Sequence, residues 1–154
     1  MPEVSLRPMS DAEFDDWFAR SKEGYADDLA RAYGRLEADA RAMADAASAR
    51  MLPDGRATTG HEFLRVLRGD DPVGWLWLGP GDDGGLWIYD IVMAPDAQGR
   101  GFGTATLGAV EAIARARGLG AIAINVFGHN PRAQALYEAV GYETVTTEMR
   151  KRLS

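Results

Sequence analysis

The sequence predicts a single α/β domain with its elements in the order βααβββαβαβ. Three observations carry that reading. Apolar residues recur at helical spacing through the first third of the chain and alternate after residue 60. Three alternating glycines, Gly99, Gly101 and Gly103, lie between a strand pattern and a helix pattern. The length, 154 residues with 46% hydrophobic and 26% charged side chains, suits one domain with a substantial core.

Residues 4–7 read as a short strand stopped at Pro8. Ser10 and Glu13 form a capping box that opens a helix, with Met9 and Phe14 at the staple positions on either side. Phe14, Trp17 and Phe18 share one face, which Tyr25 and Leu29 continue until Gly34 breaks the helix. The second helix is Ala-rich, with Leu36, Ala40, Met43, Ala47 and Met51 as its inward stripe, and it ends in the turn Leu52-Pro53-Asp54-Gly55. Residues 62–67 and 73–78 are strands joined by a hairpin, and a Gly-rich turn at 79–85 leads into a strand over 86–93. A helix from about 103 to 117 turns Leu107, Val110 and Ile113 inward and is capped by Gly118. Residues 121–127 are mostly apolar, as expected of a strand covered on both faces. Asn130-Pro131 has the form of an N-cap followed by proline at the first helical position. That helix stops before Gly141, and residues 142–149 are expected to form a last strand.

Composition excludes several functions. The net charge of -6 argues against a nucleic-acid partner, which needs a basic face. Without cysteine there is no disulfide, thiol nucleophile or thiolate metal site, and two histidines, His61 and His129, cannot build a histidine-rich centre. No metal is expected. The N-terminus lacks the apolar core of a signal peptide, and stretches such as 73–78 fall far below the ~18 residues of a membrane span. The expectation is a cytoplasmic protein without a membrane partner. Charge is uneven: residues 1–96 hold 10 basic and 19 acidic side chains, residues 97–154 hold 7 and 4. That asymmetry suits an anionic ligand on the C-terminal half and a cationic one on the other.

The chemically informative segment is Gln98-Gly99-Arg100-Gly101-Phe102-Gly103-Thr104. Alternating glycines leave backbone N–H groups unobstructed, and a following helix N-terminus favours negative charge. A pyrophosphate fits such a seat, with Arg100 able to add a charged bond. A Walker loop is excluded because the two lysines, Lys22 and Lys151, are remote. A dinucleotide fingerprint fails because the third glycine position is Thr106 and two helices precede the loop. Taken alone, the loop fits either a phosphate seat or a tight turn without ligand.

The surrounding sequence resembles the GNAT superfamily of acyl-CoA-dependent N-acyltransferases. Residues 98–104 are similar to its pyrophosphate loop, and Ile91-Val92-Met93 to the strand that holds the pantetheine arm. Asn125-Val126-Phe127-Gly128-His129-Asn130, with the run from Ala133 to Tyr142, resembles the second half-motif. The likeness is strong over 61–150 and only topological over 1–60. It implies a mixed central sheet splayed between two parallel strands, with helices on both faces. Residues 61–154 would form the acyl-CoA-binding core and 1–60 the acceptor side. The implied cofactor contacts are Ile91, Val92, Met93, Gln98, Gly99, Arg100, Gly101, Phe102, Gly103, Thr104, Asn130 and Ala133, and the implied co-substrate is acetyl-CoA.

The resemblance also assigns catalytic candidates. Tyr137 matches the family's general-acid tyrosine, since a phenol of pKa about 10 suits a departing thiolate of about 8.5. A backbone N–H near Met93 would meet the oxyanion. Many relatives carry a glutamate near the Gly loop or at Asn125, and this chain has neither. Asp90 is the nearest carboxylate and is expected to act as base through water, or else to pair structurally with a neighbouring strand. His129 suits base chemistry by its pKa but sits in a capping loop. His61 and the Trp75/Trp77 pair are expected to be structural. The leading reading is transfer of acetyl from acetyl-CoA to a primary amine, the alternative a non-catalytic acyl-CoA sensor. Acceptor identity stays open, as does a homodimer.

Overall fold

Ser10 starts the longest helix through the predicted reciprocal cap: the Glu13 N–H donates to Ser10 Oγ (3.1 Å) and the Ser10 N–H to the Glu13 carboxylate (2.9 Å). Arg7 adds a bidentate pair that holds the Glu13 carboxyl down at about 2. A computed structural model describes residues 2–153, and in it this helix, α1, spans Asp11–Tyr33. Gly34 ends it at φ 61°, a left-handed conformation that favours glycine. Met9 and Phe14 are both buried against Trp17 and Phe63, so the staple forms as read.

The second helix, α2 (Glu37–Met51), corrects the expected stripe. It buries Ala40 and Ala44, while Leu36, Met43 and Met51 are exposed. Small residues let α2 approach Ala26 and Leu29 of α1 closely, so close packing decides the inward face and bulk does not.

Strands β1 (Ser5–Pro8), β2 (Glu62–Arg68), β3 (Asp71–Pro80), β4 (Leu86–Met93) and β5 (Ile122–Ile124) form one sheet in sequence order. Its pairings are antiparallel except β4 with β5, which run parallel over Leu86–Ile88 only. Beyond Ile88 the two strands have no pairing. One sheet face carries Leu64, Val66, Leu76 and Leu78 against α3 (Phe102–Ala116) and α4 (Pro131–Ala139). The other carries Phe63, Trp75 and Trp77 against Phe14, Phe18 and Trp17 of α1.

A bulge in β4 sets what faces where. Leu78 pairs with Ile88 and Trp77 with Asp90, which leaves Tyr89 as the extra residue. Strict alternation would put Asp90 on the core side with Ile88. The extra residue moves it to the α1 side, beside Trp77, and returns Ile91 and Met93 to the core side.

Two expectations for the last third are overturned. The strand predicted over 121–127 forms only at Ile122–Ile124 and is half-buried, because it pairs with β4 for three residues and then diverges. No strand forms over 142–149, where Val145 and Met149 are about nine-tenths exposed. Its three threonines and Val145 suit a strand, but the segment finds no ladder partner. Among the described residues no helix is long and apolar enough to cross a membrane.

Candidate active site

Where β4 leaves β5, a cavity of about 700 Å³ opens between α1, β3, β4, α4 and the segment 124–127. It takes in Asp90, Ile91, Val92, Asn130, Ala133 and Tyr137 from the sequence-predicted set. Asp90 comes from the α1 side of the sheet and Tyr137 from the core side. The parting of the strands is what lets both reach one space.

Backbone geometry gives the β4 edge its donors. The Ala94 N–H bonds Val73 O, and Val92 pairs with Trp75, so these residues point their polar groups at β3. By the period of two, the N–H groups of Ile91 and Met93 point the other way, into the parting. Met93 O accepts from the Gln98 side chain at 3.3 Å, tying the Gly loop to this edge.

The loop is held open by conformation. Gly99 (φ 71°) and Gly101 (φ 85°) adopt left-handed backbone, and Gly101 caps α3 without a side-chain bond, which leaves the first-turn N–H groups free of a side-chain acceptor. Arg100 stacks on Phe102 (5.1 Å) and donates to Asp96 O (3.4 Å). Arg68 lies over the same ring (5.9 Å), and Arg132 of α4 reaches within 3.9 Å of the place a side chain on Gly99 would start. Thr104 is half-buried in the first turn of α3. Unobstructed N–H groups, a left-handed loop and three guanidinium groups fit a polyphosphate, and the unpaired β4 edge fits an extended amide chain.

Asp90 sits in a setting that perturbs it. Its Oδ2 accepts from Trp17 Nε1 at 2.8 Å. Burial pushes its carboxyl up to about 6, with the Trp17 and Ser21 hydrogen bonds pulling the other way. Tyr137 is pushed up to about 12, first by burial and then by the Asp90 charge. At neutral pH the carboxyl is therefore mostly ionised and the phenol remains protonated. One group can take a proton and the other can give one.

Other candidates have bonds that fix their roles. Asn130 caps α4 by accepting the Ala133 N–H at 3.3 Å, as its spacing suggested. His129 Nε2 lies 2.8 Å from Asp28 Oδ1, joining the loop before α4 to α1. His61 accepts from Trp77 Nε1 at 2.9 Å and is pushed down by burial. Sequence reasoning missed Ser21 and Arg132, and it read Trp17 as core alone. Trp17 is core, yet its indole N–H also serves Asp90, which no local pattern signals.

Known proteins resemble this chain along most of its length. The family described as "Acetyltransferase (GNAT) family" matches residues 11–142. A Bacillus subtilis protein, "Uncharacterized N-acetyltransferase YycN", is 30% identical across 97% of this chain and 99% of its own. Its crystal structure superposes with a TM-score of 0.91 at 29% identity, covering 98% of this chain and 99% of that one. A "Mycothiol acetyltransferase" from Beutenbergia cavernae is 36% identical over 75% of this chain and 45% of its own length. Likeness that runs through both the N-terminal helices and the Gly loop is likeness of the whole chain, which is an acyl-transferring enzyme belonging to the GNAT family of acetyltransferases.

Proposed function

We propose that the chain transfers the acetyl group of acetyl-CoA to a primary amine by direct attack within a ternary complex. The observation that carries this reading is the meeting of Asp90 and Tyr137, from opposite faces of the sheet, in one cavity beside a free strand edge. When bound, acetyl-CoA supplies an activated acyl thioester. Residues 98–104, with Arg132, hold its pyrophosphate, and Ile91 to Met93 with Asn130 and Ala133 hold its pantetheine arm. On this reading residues 61–154 form the acyl-CoA core and 1–60 the acceptor side of one domain.

Asp90 receives the proton that an ammonium must lose before its nitrogen can attack, directly or across one water. A carboxyl near 6 is ionised at pH 7 while keeping more basicity than an exposed aspartate. One outward N–H of this edge, near Met93, meets charge developing on the carbonyl oxygen. Tyr137, held protonated at neutral pH by its raised pKa, gives its proton to the thiolate as the carbon–sulfur bond breaks and recovers one from the nitrogen that becomes the amide. With no cysteine to carry an acyl group, direct attack is favoured. Acetyl-CoA incubated with a broad amine panel, followed by free-thiol release, tests the proposal. Amine-dependent release is expected, and release no faster than hydrolysis for every amine overturns it.

A further inference from the structure

The α1 side of the cavity is an aromatic wall. Trp17 meets Trp77 edge-on at 5.7 Å, Trp77 stacks on Tyr89 at 4.9 Å, and Tyr89 touches Trp87 at 6.1 Å between ring centroids. Trp77, Trp87 and Tyr89 are only half-buried, and all line the cavity. Half-buried aromatics in a row are ordinary on a surface, but here the polar tips of Trp17, Trp77 and Tyr89 point elsewhere. Trp17 donates to Asp90, Trp77 donates to His61, and the Tyr89 hydroxyl donates to Pro80 O at 2.7 Å. These three rings therefore offer the cavity π surface and carbon, with their donors already engaged.

The charges around the wall are engaged as well. Arg20 pairs with Asp16 at 2.9 Å and lies over Trp75 at 4.5 Å. Lys22 pairs with Asp45 at 3.4 Å, and the Asp28 carboxylate is hydrogen-bonded to His129 Nε2 at 2.8 Å. Asp82 sits at the rim on an exposed turn, where its charge is screened. The acidic surplus of the N-terminal half is thus not focused on this space. A hydroxyl-rich body moved here would lose water hydrogen bonds without replacement, whereas a flat apolar body gains contact area and ring stacking.

We propose that this wall receives the apolar body of the acceptor, making the preferred substrate a primary amine carried on a short chain from an aromatic ring. The inference rests on the amine-acetylation reading above and adds the class of amine. Asp90, at the Trp17 end of the wall, marks where the nitrogen lies, and the ring extends toward Tyr89 and Trp87.

The test compares kcat/KM for 2-phenylethylamine and tryptamine with spermidine and glucosamine at saturating acetyl-CoA. Hydrophobic complementarity of this kind is worth roughly 10- to 100-fold, so the arylethylamines should lead by at least about tenfold. Trp87→Leu and Tyr89→Leu, checked for folding by circular dichroism, should shrink that lead mainly through KM. Trp87 stands at the outer end of the wall, so its replacement reads out even where Tyr89→Leu fails to fold. Spermidine or glucosamine reacting as well as the arylethylamines overturns the proposal while amine acetylation stands. Silence from all four, with other amines active, likewise rejects the ring-bearing class. Silence from every amine removes the acetylation reading itself and this proposal with it.

Discussion

Trp17 and Asp90, 73 residues apart in sequence, are joined by a 2.8 Å hydrogen bond from indole to carboxylate. The bond docks the first helix on the sheet and stabilises the ionised form of the half-buried acid. Packing of α1 and the basicity of the proposed base are thus set by one contact.

Asp90→Asn should be both less active and more stable. The folded-state carboxyl is raised to about 6 from 3.8, so between those values the folded chain binds more protons than the unfolded chain. Stability therefore falls as pH rises through that window, and above it ionised Asp90 costs up to roughly 3 kcal/mol. The amide keeps an acceptor for Trp17 and removes the charge. Turnover should drop about 100-fold or more, while the thermal midpoint at pH 8 rises. Wild-type turnover in this variant rejects Asp90 as base.

Trp17→Phe separates basicity from presence of the base. Losing the indole donor removes one of the interactions that hold the Asp90 carboxyl down, so its pKa climbs further. The acid limb of kcat/KM, expected near pH 6 in the wild type, should move upward, with activity recovering above pH 8. An unmoved limb together with lost activity means Trp17 acts through packing alone.

Tyr137→Phe keeps the ring that packs against Tyr142 at 5.8 Å and deletes the transferable proton. Turnover should fall by about 10-fold or more, while coenzyme A affinity stays within a few-fold by calorimetry. Equal turnover leaves Tyr137 a packing residue.

The two loop glycines should respond differently. Gly101 has φ 85° and would set a side chain 3.3 Å from Pro2, so Gly101→Val strains the loop and should weaken coenzyme A binding by about tenfold or more. Gly103 is not in that conformation, and a methyl there only touches Leu136 at 3.4 Å. Gly103→Ala should bind nearly as the wild type does. Calorimetry that ranks the pair in reverse shows the seat lies elsewhere.

Between α1 and α2, size is the constraint. Ala44→Leu should destabilise by about 1–3 kcal/mol in urea unfolding, because it forces apart helices that meet at Ala26 and Leu29. Met43→Leu, at a more exposed position, should stay within about 0.5 kcal/mol.

Much of this was readable from the chain. The capping box, Gly34 and the Asn130-Pro131 start are local signals, each determined by chemistry within four residues. The Gly loop was legible for the same reason. The inward face of α2 was not, because it depends on how closely another helix approaches. The bulge left a trace, a phase change between Ile88 and Ile91 in the apolar alternation of β4, but only the pairing with β3 identifies Tyr89 as the extra residue. The tail over 142–149 has strand composition without a partner, and composition alone does not report pairing.

The three-residue seam between β4 and β5 has a consequence for handling the protein. Past Ile88 an edge of backbone donors and acceptors stands open, with Val92 43% exposed upon it. Such an edge is a template for any extended chain, including another copy of the same one. Whatever lies along it shields it. The purified protein should cloud at lower temperature when stripped than when saturated with coenzyme A, since on the proposed reading the cofactor would lie along this edge and guard it against edge-to-edge aggregation.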